Sequence, residues 1–173
     1  MNDTRTNGTT WARTITTPVG ALTISVSDRG LRAVTWPGDA DTGRVRLPGA
    51  GGGDHPLLDE ASRQLDEYFA GERTDFDLPL DPVGTDFQRA AWEALCTIPY
   101  GETVSYGEQA ERMGDRGKAR AVGAANGKNP ISVIVPCHRV IGADGSLTGF
   151  AAGLEVKTWL LAHERRHAGH TLV

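Results

Sequence analysis

No run of about eighteen apolar residues occurs in this 173-residue chain, so the sequence offers no membrane-spanning helix. Met1 to Thr10 is polar and lacks the apolar centre of a secretory leader. Cysteine is nearly absent. Cys96 and Cys137 are the only two, too few for a disulfide framework and without metal-ligand spacing. Aromatic residues are sparse at 6% and hydrophobic ones reach 39%, whereas glycine occurs 22 times, a balance that predicts a loop-rich protein with a modest core. These shortages exclude a secreted disulfide scaffold, a zinc finger and a membrane anchor. They leave a cytoplasmic protein whose thiols stay reduced, expected to be a monomer with no membrane partner. The length suits one compact domain or two small ones.

Positive charge is also in deficit: 18 basic residues face 22 acidic ones, for a net charge of −4. That excludes a surface that binds nucleic acid everywhere. The distribution is uneven, however. Arg112, Arg116, Lys118, Arg120, Lys128 and Arg139 stand between Ala110 and Val140 against only Glu111 and Asp115. A basic patch on an acidic body is the footprint of a protein that docks phosphates with one face.

The first half reads as Arg13 to Thr17, Ala21 to Val26 and Leu31 to Trp36 in an antiparallel meander, broken by Pro18-Val19-Gly20 and Asp28-Arg29-Gly30. Pro37 to Asp54 is polar and glycine-rich and is expected to be a flexible loop. Pro56 to Ala70 has helical spacing, with Asp54 as its cap. This half carries no recognisable chemistry and is expected to be scaffolding. Arg73 to Val83 reads as an extended linker holding Pro79 and Pro82.

Beyond it, Thr85 with Gln88 and Ser105 with Glu108 form two capping boxes. Cys96 ends the first of these helices with no partner in register and is read as structural. The second helix runs to Gly114 and is followed, after a turn, by Lys118 to Asn126, the helix-turn-helix pattern. Ala119, Ala121, Gly123, Ala124 and Ala125 leave this last helix almost bare beside Lys118 and Arg120. A slim helix with a long cation suits the minor groove of duplex DNA. The final helix spans Leu154 to His167, with Leu154, Trp159, Leu160 and Leu161 as its apolar side. His163, His167 and His170 read as a solvated tail rather than a metal site.

The stretch that these parts surround is Ile134-Val135-Pro136-Cys137-His138-Arg139-Val140. Ile131 to Val135 predicts a buried strand running into the proline, with Asn129-Pro130 and Gly142-Ala143-Asp144-Gly145 as turns at either end. A thiol beside imidazole and guanidinium favours thiolate, the nucleophilic form. On an extended segment neighbouring side chains point to opposite sides, so Cys137 and His138 are expected to communicate through a water.

Pro136-Cys137-His138-Arg139-Val140 resembles the signature of the O6-alkylguanine-DNA alkyltransferases, the methylated-DNA–protein-cysteine methyltransferases. The likeness continues from about Gly84 to Glu164 through Tyr100-Gly101-Glu102-Thr103-Val104-Ser105-Tyr106-Gly107, Ala119-Arg120-Ala121-Val122-Gly123 and Gly153-Leu154 with Lys157. The resemblance implies a small N-terminal α/β domain, expected over residues 1–83, and a mainly helical, winged-helix-like DNA-binding domain over 84–173. It implies irreversible, single-turnover transfer of an alkyl group from O6-alkylguanine in double-stranded DNA to Cys137, with O4-alkylthymine an open second lesion and no cofactor. His138 is then the base through water, Glu164 orients it, Asn129 holds the turn, and Tyr106 bonds the flipped base. Arg120 fills the gap in the stack, and Ala121, Gly123, Lys118 and Arg139 join it against DNA. Cys137, Val140 and Ala151 supply main-chain groups to the guanine pocket, which Phe150 walls. Phe150, Ala151-Ala152 and Ser132 depart from the usual pattern, which bears on the range of alkyl groups. A thiol-based DNA-binding regulator and a non-catalytic lesion-binding relative are the alternatives.

Overall fold

The computed structural model describes residues 9–39 and 53–168. Strands β1 (Thr10–Thr17), β2 (Gly20–Ser27) and β3 (Gly30–Thr35) form an antiparallel sheet in the order β1-β2-β3. The expected turns connect them. Gly30 has positive φ and a neighbour pressed against it: a Cβ there would stand 2.6 Å from the Pro79 carbonyl oxygen. Residues 40–52, most of the expected glycine-rich loop, lie outside the described residues.

Helix α1 (Pro56–Phe69) packs on β1 and β2 through Leu58, Ala61, Leu65 and Tyr68, all buried. Its cap is His55 rather than Asp54. Pro56 at the first helical position drives the preceding residue into extended backbone, the conformation of a cap, and His55 Nδ1 accepts from Leu57 N at 3.1 Å. Asp54 is exposed and pairs with Arg13 at 3.2 Å instead. The linker is extended as expected, and it extends the sheet. Leu31 N donates to Pro79 O at 2.9 Å and Asp81 N to Leu31 O at 2.8 Å.

The second half contains α2 (Asp86–Leu95), β4 (Val104–Ser105), α3 (Tyr106–Arg112), a 3₁₀ turn (Arg116–Lys118), α4 (Ala119–Gly127), a 3₁₀ turn (Cys137–Arg139), β5 (Val140–Ile141) and α5 (Leu154–Ala168). Both capping boxes form. Helix α4 docks by Val122, Ala125 and Asn126. Trp92 Nε1 of α2 donates to Ala125 O at 2.9 Å, and Gln109 and Asn126 exchange side-chain hydrogen bonds at 3.0 and 2.8 Å. Amide pairs of this kind fix one register between α3 and α4, because a slip would strand buried donors.

Two expectations for α5 fail. Leu154 is exposed, because the buried stripe begins a turn later with Lys157, Leu160, Leu161, His163 and Glu164. His163 is no solvated tail either. It is buried, its Nε2 lies 2.7 Å from Tyr68 O, and its ring stacks on Trp159 at 4.7 Å and meets His167 at 4.4 Å. His170 lies outside the described residues. The apolar core is continuous across both halves, and β3 is laced to the segment before Cys137: Val34 N donates to Pro130 O at 2.9 Å and Ser132 N to Val34 O at 3.0 Å.

Candidate active site around Cys137

Residues 131–135 are not the strand that their β-branched character predicts. Only Ile131 bridges the sheet, to Val34, and the chain then coils. Val135 N donates to Ile131 O at 3.0 Å, Ile134 N to Ser132 O at 2.8 Å, and Val133 sits at φ 70°. Asn129 overrides the local propensity. Its Oδ1 accepts from Ile131 N at 3.0 Å and its Nδ2 donates to Val135 O at 2.9 Å, so one buried amide closes both ends of the turn. Nor are Cys137 and His138 extended. They lie in a 3₁₀ turn, where successive side chains diverge by about 120°. Cys137 is left half-buried at a cavity while His138 and Arg139 point into the protein.

The interior hub is Glu164 on α5. Its Oε2 lies 2.7 Å from His138 Nε2 and accepts from Tyr68 Oη at 2.6 Å and Arg139 Nη2 at 3.0 Å; its Oε1 accepts from Arg139 Nε at 2.7 Å. Burial would push this carboxyl up. The His138 charge and hydrogen bond, followed by those of Arg139, outweigh it and hold Glu164 well below the usual carboxylate range. An ionised carboxylate only accepts, so Nε2 of His138 carries a proton toward it and Nδ1 is the nitrogen that faces away from Glu164. That Nδ1 is buried and makes no hydrogen bond. Arg139 is therefore not a DNA contact, as its place in the basic patch suggested. It is buried, its Nη1 donates to Ile98 O at 2.7 Å, and its guanidinium lies 5.6 Å from the Tyr100 ring centroid.

Cys137 opens onto a cavity of about 60 Å³ lined also by Tyr106, Gly123, Asn126, Ser132, Phe150 and Ala151. Tyr106 and Thr148 share a hydroxyl hydrogen bond of 2.9 Å, and the Tyr106 ring lies 3.6 Å from where a Gly123 Cβ would stand. Phe150 meets Trp36 of the sheet edge-on at 6.1 Å. Val140 is not in the lining. Its carbonyl accepts from Lys157 Nζ at 2.7 Å, and Lys157 bonds Thr148 O at 2.9 Å as well, tying the wall loop to β5. Burial pushes the Lys157 ammonium below its ordinary range, a shift that the charge of a Cys137 thiolate would oppose.

Lys118, Arg120, Ala121, Ala124 and Lys128 are exposed on and beside α4, with Gly123 half-buried between them and the cavity. Arg116 pairs with Glu111 at 2.5 Å and Arg112 bonds Thr97 at 2.9 Å. Among the described residues, no three His, Cys, Asp or Glu side chains are placed to hold a metal ion, and no helix is long and apolar enough to cross a membrane. Sequence reasoning missed Tyr68, and with it the contribution of the N-terminal half to the site. The available signal was a tyrosine on the buried face of α1, whose hydroxyl must find a partner in the interior.

Two family models match the chain: "6-O-methylguanine DNA methyltransferase, ribonuclease-like domain" over residues 12–82 and "6-O-methylguanine DNA methyltransferase, DNA binding domain" over 86–166. A methylated-DNA–protein-cysteine methyltransferase of Mycolicibacterium paratuberculosis is 52% identical, over 92% of this chain and 95% of its own. One from Methanosarcina acetivorans is 47% identical, over 85% and 93%. Mycobacterium tuberculosis OGT, solved in complex with DNA, superposes with a TM-score of 0.82 at 47% identity, over 90% of this chain and 93% of that one.

Proposed function

The chain belongs to the 6-O-methylguanine DNA methyltransferase family, and from that premise we propose how its own residues repair alkylated DNA. The protein transfers an alkyl group from O6-alkylguanine in DNA to one of its cysteines. The observation that carries the assignment of Cys137 is its position at the mouth of the cavity, beside a histidine whose far nitrogen is fixed by a buried carboxylate.

Helix α4 lies against the duplex, and Lys118 and Arg120 neutralise phosphate or fill the stack while the alkylated guanine turns into the cavity. Its bare surface at Ala121 and Gly123 lets the backbone come close. The Cys137 proton passes through one water to Nδ1 of His138, leaving thiolate at the cavity. Sulfur attacks the alkyl carbon in line, the S–C bond forms, and the C–O6 bond breaks with its electron pair going to the purine. The Tyr106 hydroxyl donates a hydrogen bond to the departing purine anion, which takes a proton from water while His138 gives its own back to water. Glu164 stabilises the imidazolium formed on the way. The product thioether is a poor leaving group, so each molecule acts once. We assign the scaffold to residues 1–83 and the catalytic half to 84–173, and a cytoplasmic location, where a nucleophilic thiol stays reduced, suits this chemistry.

The test is intact and peptide mass after incubation with duplex DNA carrying O6-methylguanine. One methyl on the Cys137 peptide per lesion removed is expected. Repeated turnover, or methyl on Cys96, overturns the assignment.

A further inference from the structure

We propose that Tyr68, on a helix of the N-terminal half, is a positioning residue for alkyl transfer: its hydroxyl shares Glu164 Oε2 with His138 and so sets how strongly that carboxylate holds the imidazolium. The proposal rests on the alkyl-transfer reading and adds to it a residue 96 positions from Glu164 in sequence.

The geometry leaves little choice of role. Tyr68 is fully buried, and its hydroxyl reaches Oε2 at 2.6 Å while His138 Nε2 reaches the same oxygen at 2.7 Å. Burial and the Glu164 charge keep the phenol protonated, so it is a donor throughout the working range of the protein. Arg139 already holds the carboxylate plane through two nitrogens. What the phenol adds is therefore competition for negative charge at the oxygen on which His138 depends. The ring is fixed independently, edge-on to Phe69 at 5.1 Å and Tyr100 at 6.2 Å, and tilted against His163 at 5.4 Å. The carboxylate also feels Tyr100 and His163, and Arg139 feels Cys96 at the end of α2. None of these three makes a hydrogen bond to Glu164. Tyr68 is thus the point at which the first half of the chain enters the proton relay.

The direction follows. Without the hydroxyl, Oε2 has more charge to offer His138, the thiolate–imidazolium pair forms more readily, and the alkaline-rising limb of the alkylation rate moves to lower pH. A more acidic phenol in the same ring does the reverse.

The experiment compares wild type, Tyr68→Phe and the full chain with 3-fluorotyrosine at position 68. Each is assayed for the rate of Cys137 alkylation against pH, with O6-methylguanine duplex and, separately, with iodoacetamide. Opposite displacements of the limb, each of roughly half a pH unit, are expected, with duplex affinity unchanged. Coincident profiles, or displacements in the same direction, overturn the proposal. If Tyr68→Phe fails to fold, the fluorinated chain decides alone, since it keeps both hydroxyl and ring. Failure of the wild type to accept methyl from DNA would sink the alkyl-transfer reading. The iodoacetamide arm would still report whether Tyr68 tunes the thiol.

Discussion

Arg139 Nε lies 2.7 Å from Glu164 Oε1, and both side chains are buried. An arginine that follows a nucleophilic cysteine and a histidine, in a basic stretch of sequence, has every outward sign of a phosphate contact. It is turned inward instead, because the 3₁₀ turn carries it past the surface and Ile98 O and Glu164 occupy its nitrogens. Its charge offsets that of the carboxylate, so His138 is held by a neutral pair rather than a lone anion.

Removing Arg139 should therefore destabilise the fold rather than weaken DNA binding. Arg139→Leu leaves Glu164 buried with less compensation, a loss of about 3–5 kcal/mol in urea unfolding. Its dependence of duplex affinity on salt should match wild type. A shallower salt slope with wild-type stability would return Arg139 to the surface.

Glu164 makes a prediction whose sign depends on pH. Its folded carboxyl titrates well below the unfolded value of about 4.3, so its stabilisation is complete above that value and is lost as pH falls from there toward the folded one. The part of the stability difference between wild type and Glu164→Gln that comes from the carboxylate should shrink as pH falls below about 4.3. The same variant should move the rising limb of the Cys137 alkylation rate to higher pH. Overlaid rate profiles from two folded proteins would remove Glu164 from the relay.

The exposed cations beside α4 should act through counterion release. Lys118→Ala, Arg120→Ala and Lys128→Ala should each reduce the slope of log affinity against log salt by about 0.9 if the residue neutralises one phosphate. Arg112 and Arg116 have protein partners and should change it less. Slopes equal for all five would show that net charge, not position, governs binding.

Arg120 has a second expected signature. If it stabilises the duplex after the base has turned out, Arg120→Ala should slow repair in duplex DNA much more than reaction with free O6-methylguanine, which has nothing to be extruded from. Equal slowing on both would make it a structural residue.

Much of this was readable in advance where one local rule sufficed. Thr85–Gln88 and Ser105–Glu108 cap their helices as the pattern says, and the three strands of the meander pair in order. His138 and Glu164, which the resemblance pairs, lie 2.7 Å apart in the interior. The failures arise where a distant partner overrides local preference. Residues 131–135 have strand chemistry, yet Asn129 bends them into a turn. Tyr68 reads as core from its helical spacing, because nothing in α1 shows that its hydroxyl faces a carboxylate from the other half. Lys157 stands out in sequence as a cation, whereas its ammonium is spent on two carbonyls, Val140 and Thr148.

Val133 places two demands on one position that no amino acid meets together. Its backbone, at φ 70°, asks for glycine or asparagine, while its side chain, 1% exposed, asks for a branched hydrocarbon. Glycine would free the backbone and open a void; asparagine would tolerate the angle and put an amide among apolar neighbours. The present compromise keeps about 1–3 kcal/mol of backbone cost within a few residues of the thiol, held by the bonds of Asn129 and Val34. In mutational terms, position 133 has almost no neutral neighbours. Random change there is far more apt to disarm the protein than to retune it, so variation in which alkyl groups are accepted is expected to come from the cavity wall at Phe150 and Ala151.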